Sequence, residues 1–169
     1  RLSRDVARFE HETDVSVVSF SDDGKQLITG AYEKGAVVWD IATKTDVLRL
    51  PLEPDSGLYD VVLSPDGRHL VMATNLATGV FDAKTGAKLG EVNRPNPSFS
   101  LSFSTDSRFF LAVSQDLAVR VWDVETRDEV ASTTHDDSVT DASFSPDGKR
   151  FVTASYDGTS RIVDIETGN

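Results

Sequence analysis

The 169-residue chain contains no cysteine, which excludes disulfides, thiolate metal sites and a cysteine nucleophile. Only three histidines are present, and they are scattered, which leaves little for a zinc site. No uncharged apolar run approaches the roughly 18 residues of a membrane helix, and no basic-then-apolar segment opens the chain. Positive charge is scarce: 17 Lys and Arg stand against 28 Asp and Glu, a net charge of −11. Such a surface repels phosphate, so neither nucleic acid nor an anionic membrane is the expected partner. There is no Gly-rich phosphate loop, no G-x-S-x-G and no H-E-x-x-H. What remains is a soluble globular composition, 38% hydrophobic and 27% charged, long enough for one domain. A cytoplasmic location is the expectation.

The chain repeats itself. Ser21-Asp22-Asp23-Gly24, Ser64-Pro65-Asp66-Gly67, Ser104-Thr105-Asp106-Ser107 and Ser145-Pro146-Asp147-Gly148 are spaced by 43, 40 and 41 residues. A second anchor follows each: Trp39-Asp40, Phe81-Asp82, Trp122-Asp123 and Val163-Asp164. A third is the threonine three residues after each of those aspartates: Thr43, Thr85, Thr126 and Thr167. Three anchors held in phase mark a structural repeat, here 1–40, 41–82, 83–123 and 124–169 within a single domain of residues 1–169.

Each repeat reads as short strands and tight turns. Apolar residues alternate ahead of the serine turn, as in Val18 and Phe20 or Val61 and Leu63. Strands are predicted after it at Gln26 to Ala31, His69 to Thr74, Phe109 to Ser114 and Arg150 to Ser155. A third strand leads to each aromatic-Asp anchor, and a weaker fourth follows. No stretch holds a helical period. A lone four-stranded sheet leaves both faces unburied, and radial stacking of such sheets into a β-propeller covers them.

These turns, the Trp-Asp dipeptide and the period of about 41 residues resemble the WD-repeat family of β-propellers over essentially the whole chain. The resemblance implies an all-β propeller of four-stranded antiparallel blades, four in this chain, half of an eight-bladed ring. It also implies a buried network of His, Ser or Thr, Asp and Trp in each blade. The residues at those positions are His11, Thr29, Glu33 and Trp39 in the first repeat, and Asp116 and Trp122 in the third. His135, Thr153 and Asp157 supply the fourth, where Val163 replaces the Trp. Glu33 departs from the usual Asp, and the second repeat carries Pro54, Asn75 and Phe81 at the matching places.

A His, a Thr and an acid in one repeat invite comparison with a hydrolytic triad. Recurrence at the repeat period favours a structural network instead, since catalytic groups do not tile. No catalytic residue, cofactor or metal is expected. His69 follows a turn and is expected to be solvated. The pairs Asp22-Asp23 and Asp136-Asp137 lack the alternating ligands of a calcium loop.

By the same resemblance the chain is a non-enzymatic scaffold or docking module for a protein or peptide, with a basic one favoured by the acidic surface. A small-ligand or hydrolytic propeller and a structural spacer are the alternatives. The family's contact positions fall here on Asp14, Ser16, Tyr32, Tyr59, Thr74, Phe99, Gln115, Thr140 and Tyr156. All three tyrosines are in this set, and binding surfaces favour Tyr. Packing between neighbouring blades is the competing role for these rings. The chain starts and ends in the same phase, with Val6 to Phe9 at the place of a fourth strand and no Met at its start. It reads as a piece of a longer propeller or as a chain that dimerises into an eight-bladed ring, with a bacterial or archaeal source as the expectation.

Overall fold

A computed structural model describes residues 5–168. Fifteen strands are found among them, gathered into four antiparallel sheets in strict chain order. Sheet I holds β1 (Val15–Phe20), β2 (Gln26–Ala31), β3 (Gly35–Asp40) and β4 (Thr45–Leu50). Sheet II holds β5 (Leu58–Leu63), β6 (His69–Thr74), β7 (Thr78–Asp82) and β8 (Lys88–Glu91). Sheet III holds β9 (Ser98–Phe103), β10 (Phe109–Ser114), β11 (Ala118–Asp123) and β12 (Glu129–Thr134). Sheet IV has three strands, β13 (Val139–Phe144), β14 (Arg150–Ser155) and β15 (Ser160–Asp164). These are propeller blades. Sheets I to III each take their fourth strand from beyond the aromatic-Asp anchor, so sheets and sequence repeats are offset.

The serine turns hold the hairpins between first and second strands. The Ser21, Ser64, Ser104 and Ser145 hydroxyls donate to the aspartate two residues on, at 2.8, 2.6, 2.6 and 2.6 Å. The same aspartate oxygen then accepts the backbone N–H two residues further, of Lys25, Arg68, Arg108 and Lys149. A short carboxylate thus replaces the missing backbone partners of a tight turn. The fourth turn position is left-handed, and glycine fills it at Gly24, Gly67 and Gly148. Ser107 occupies it in sheet III with φ 63°, and its hydroxyl accepts the Asp66 amide of the neighbouring turn at 3.0 Å.

The Asp-x-x-Thr anchors close the turn between third and fourth strands. Asp40 accepts both the amide and the hydroxyl of Thr43 (2.8 and 2.9 Å), and Asp82 and Asp164 do the same for Thr85 and Thr167. Asp123 accepts the Thr126 amide at 3.2 Å.

Three apolar clusters lie between consecutive sheets. Ile28, Val38, Leu58 and Val61 join sheets I and II; Val71, Val80, Phe110 and Trp122 join II and III; Leu111, Val121, Val139 and Phe151 join III and IV. The sheets form an arc, and the outer faces of sheets I and IV stay exposed.

Two expectations change. Residues Val6 to Phe9 form no strand; Phe9 instead sets its ring 5.5 Å from Trp39. The fourth sheet, whose edge such a strand would complete, lies at the other end of the arc. His69 is buried rather than solvated, because sheet III packs over it and brings Glu125 Oε1 to 3.6 Å from its Nε2.

Candidate interaction surface

Antiparallel chain reversal separates two kinds of connection. Serine turns and Asp-x-x-Thr turns fall at one end of every sheet. The turns between second and third strands, and the crossings from sheet to sheet, fall at the other end. All nine candidate contact residues lie at or beside this second end.

The structure brings three of them together, Asp14, Tyr32 and Tyr59. Tyr32, 51% exposed, leans from sheet I onto sheet II, where its ring lies against Gly57 so closely that a Cβ there would sit 2.4 Å from it. The Leu58 amide donates to the Tyr32 carbonyl at 2.9 Å, fixing the two loops to each other. Tyr59 follows, with its ring centroid 6.4 Å from that of Tyr32. Thr13, Asp14, Tyr32 and Glu33 line a surface hollow beside this pair. Of these, Asp14 and Glu33 are exposed carboxylates, and the neighbouring Lys34 lies 3.8 Å from Glu12.

The other candidates are dispersed. Phe99 and Tyr156 are exposed on sheets III and IV, and neither ring pairs with another among the described residues. Ser16, Gln115 and Thr140 are exposed as well. Thr74 is buried, and its hydroxyl caps the β6–β7 turn by donating to Ala77 O and accepting the Leu76 and Ala77 amides.

Beneath this surface the network positions behave differently in each sheet. In sheet IV the His, Thr and Asp of the network are bonded to one another, with Val163 at the place of the Trp. His135 Nδ1 lies 2.8 Å from Asp157 Oδ2, and Nε2 lies 2.7 Å from Thr153 Oγ1. An ionised carboxylate only accepts, so Nδ1 donates to Asp157, and Nε2 shares a hydrogen bond with the Thr153 hydroxyl. The Thr159 hydroxyl, then His135 and the Asp136 amide, hold Asp157 far below the usual carboxylate range.

In sheet I the Trp39 indole donates to Thr29 Oγ1 at 2.8 Å. His11 makes no bond to Thr29; it sets its ring edge-on to Trp39 at 5.2 Å, and burial followed by the Arg49 charge lowers its pKa. Glu33 is exposed and takes no part. In sheet III Arg120 grips Asp116 with two bonds, at 3.0 and 2.7 Å, which lower the pKa of Asp116. Ala112 stands where Thr29 does, and Trp122 stacks on Phe110 at 5.5 Å instead. The bonded groups satisfy one another within each sheet, the behaviour of structural polar corners.

Of two further residues at this end, Arg94 escapes a motif-based reading, while Asn75 stands at the network position already noted in the second repeat. Arg94 stands ten residues before Ser104, as His11 does before Ser21 and His135 before Ser145. Its guanidinium reaches back to sheet II and donates to Thr74 O at 2.8 Å. Asn75 Oδ1 accepts the Gly57 amide at 2.7 Å, steadying the loop under Tyr32. The repeat spacing alone could have exposed Arg94.

Among the described residues no helix is long and apolar enough to cross a membrane. The family model described as "WD domain, G-beta repeat" matches residues 4–40, 95–123 and 128–164. The chain is 31% identical over 64 residues to a Periodic tryptophan protein 2 homolog of Schizosaccharomyces pombe, covering 38% of this chain and 7% of that protein. It is 29% identical over 115 residues to a Protein LST8 homolog of Drosophila melanogaster, covering 63% of this chain and 36% of that one. The matched segments thus span only a minor part of these relatives.

Proposed function

The chain belongs to the WD40 repeat family, and on that premise we propose that it is a non-enzymatic docking module whose loop end binds a basic peptide. Members of this family generally serve as scaffolds for protein assembly. The observation that carries the reading is the Tyr32–Tyr59 pair, with Tyr32 seated on Gly57 and Asp14 and Glu33 lining the hollow beside it. Tyr32 keeps half its surface in solvent, although its backbone is already fixed and its ring could have been buried. Exposed rigid rings give contact area at little cost in side-chain entropy, and surrounding carboxylates favour Lys or Arg beside them. Phe99 and Tyr156 extend the same end along the arc. The net charge of −11 supports a partner other than nucleic acid or an anionic membrane.

Selection of displayed random peptides on the wild-type protein tests this. Lys- and Arg-bearing peptides should be enriched. Tyr59→Ala and Glu33→Lys should each weaken the selected peptides at an unchanged thermal midpoint, with the aromatic change costing about 30-fold. Enrichment of acidic sequences, or equal affinity for a Tyr32→Ala/Tyr59→Ala double variant, refutes the assignment.

We infer further that the four-sheet arc is part of a larger propeller ring, such as an eight-bladed one, completed by a second copy or by further sheets of a longer chain. Support comes from apolar surface left open on both outer faces of the arc.

A further inference from the structure

Arg49, Arg108 and Arg120 each have a carboxylate within 3.2 Å, at Asp46, Asp123 and Asp116. Arg94 makes no ion pair among the described residues, in a chain with 28 Asp and Glu. Its guanidinium spends one N–H on the Thr74 carbonyl, at 2.8 Å. Nε is buried and has no hydrogen-bond partner. Nη1 has no partner either, and it is not sealed from solvent. A buried donor left unpaired costs free energy, and so does a desolvated charge without a counter-ion. Burial lowers the Arg94 pKa accordingly, with Glu91 and then Tyr59 as the groups that oppose the shift. Glu91 is itself paired with Lys88.

The surroundings of this guanidinium are fixed. Tyr59 is the extra residue of a β-bulge, between Leu58 opposite Thr74 and Asp60 opposite Ala73. A bulge re-aims the side chain it inserts. Thr74, whose carbonyl takes the Arg94 bond, is thus the cross-strand partner of the residue before Tyr59. Asp60, the residue after Tyr59, reaches across to sheet III, where its Oδ2 accepts the Leu101 amide at 2.7 Å. That bond ties the strand of Tyr59 to the strand that follows Arg94. With Arg94, the residues Leu76, Ala77, Glu91, Val92 and Asn93 line a surface hollow of about 360 Å³. Leu76 is 60% exposed and gives it an apolar wall. The groups of the loop end therefore follow one another along the arc. Asp14, Glu33 and Tyr32 belong to sheet I, Tyr59 to sheet II, and Arg94 to the crossing into sheet III. The aromatic pair has carboxylates on one side and an unpaired cation on the other.

We propose that Arg94 receives a carboxylate side chain of the docked peptide, whose Lys or Arg sits at the Asp14–Glu33 hollow. The proposal rests on the docking reading above and gives the peptide a polarity. A carboxylate supplies the acceptors that the guanidinium lacks, in charge-assisted bonds. A phosphate fits less well, because its second charge would stand beside Glu91 on a surface of net charge −11. The two ring centroids are 6.4 Å apart. An extended chain advances about 3.3 Å per residue, so the base and the acid of the peptide stand at least about three residues apart.

Selection of displayed random peptides on the full 169-residue chain, followed by fluorescence anisotropy of synthetic copies, tests this. Besides Lys or Arg, the enriched peptides should carry an Asp or Glu at one fixed spacing. Replacing that acid by its amide should weaken binding to the wild type about tenfold and leave binding to Arg94→Gln almost unchanged. Thermal midpoints report whether Arg94→Gln folds. If it does not, Arg94→Lys, which keeps a cation and a donor for Thr74, takes its place and should show a smaller loss on amide replacement than the wild type. Enriched Lys or Arg without a fixed acid, or an amide replacement that costs the same on wild type and variant, overturns the Arg94 contact and leaves the docking reading. An acid coupled to Arg94 in peptides that lack Lys and Arg overturns the basic-peptide reading and leaves the Arg94 contact. No enriched peptide overturns both. A synthetic copy with phosphoserine in place of the acid that binds more tightly than the acid overturns the choice of a carboxylate.

Discussion

The Trp39–Thr29 bond is the sharpest test of how a blade corner is held. Trp39 is 7% exposed and Thr29 is 4% exposed, and the indole N–H reaches the hydroxyl at 2.8 Å. Trp39→Phe removes the donor but keeps an aromatic ring, so the loss is one neutral hydrogen bond, about 1 kcal/mol, plus some packing. Thr29→Val removes the acceptor and strands the indole N–H in a dry site, which costs about 1–3 kcal/mol. With both changed, nothing is left unpaired, and the double variant should be more stable than the sum of the two losses by about 1 kcal/mol. Trp122 is the internal control. Ala112 offers it no acceptor, so Trp122→Phe should lose only packing against Phe110. Full truncation at either site, Trp39→Ala or Trp122→Ala, should cost about 3–5 kcal/mol. Urea unfolding followed by far-UV circular dichroism, with unchanged slopes, gives these values. Losses that add within about 0.5 kcal/mol would refute the bond as a contributor and leave Trp39 held by Phe9, His11 and Arg49 alone.

Thr153→Val should destabilise by about 1–3 kcal/mol, because it leaves buried His135 Nε2 without a partner, whereas half-buried His11, which has no bond to Thr29, should cost under about 1 kcal/mol as His11→Ala; equal urea midpoints for the two contradict this. The turn aspartates predict acid lability. Asp23 is brought down to about 2 by the Lys25 amide and then the Ser21 hydroxyl, and Asp40, Asp82 and Asp147 are lowered by similar bonds. Folded values below the ordinary value of about 3.9 mean stability that is present above it and lost as pH falls towards about 2. A urea midpoint that stays level from pH 6 to 2 would contradict that account. Asp60 has the opposite sign, since burial raises it: stability falls as pH rises from the ordinary value through the raised one, and Asp60→Asn should remove that slope. Lys44, at φ 59°, should gain about 0.5–1 kcal/mol as Lys44→Gly, while Ser107→Gly relieves the same strain but loses the bond to Asp66 and should come out near zero. Thermal unfolding of the two variants separates them.

The strands and turns were legible because their signals are local. Ser-x-Asp and Asp-x-x-Thr each close a hydrogen-bonded turn within a few residues, so the same side chains that mark the repeat also build it. The second strands begin and end where the sequence places them, Gln26–Ala31 and Phe109–Ser114 among them. What the pattern left open depends on neighbours distant in sequence. His69 follows a polar turn, and only the approach of Glu125 from sheet III buries it. Tyr32 and Tyr59 stood in the candidate set as separate positions, but their pairing needs the Gly57 seat and the Leu58–Tyr32 backbone bond between two sheets. Asp60 carried no motif at all; its meaning lies in an amide 41 residues away.

The four repeats solve one physical problem with different chemistry. Each turn between second and third strands buries backbone at the loop end and needs polar partners there. Sheet IV uses His135 with Thr153 and Asp157. Sheet III loses the His and binds Asp116 with Arg120, two residues before the Trp. Sheet II has neither acid nor His, and Thr74 caps its turn while Asn75 holds the Gly57 amide. Sheet I keeps only the Trp39–Thr29 bond, and its acid, Glu33, points to solvent. The constraint is therefore on satisfied hydrogen bonds rather than on residue identity, which is why the repeats diverge while their period and register persist. It also explains where function has room. Glu33 is released from the corner, one residue after Tyr32, and adds its charge to the acidic rim of the tyrosine pair. The first corner is thus the least completed inside and the most equipped outside, and a Glu33→Asp change separates the two roles: it should leave stability unmoved and preserve binding of a basic peptide, where Glu33→Gln leaves stability unmoved and weakens that binding.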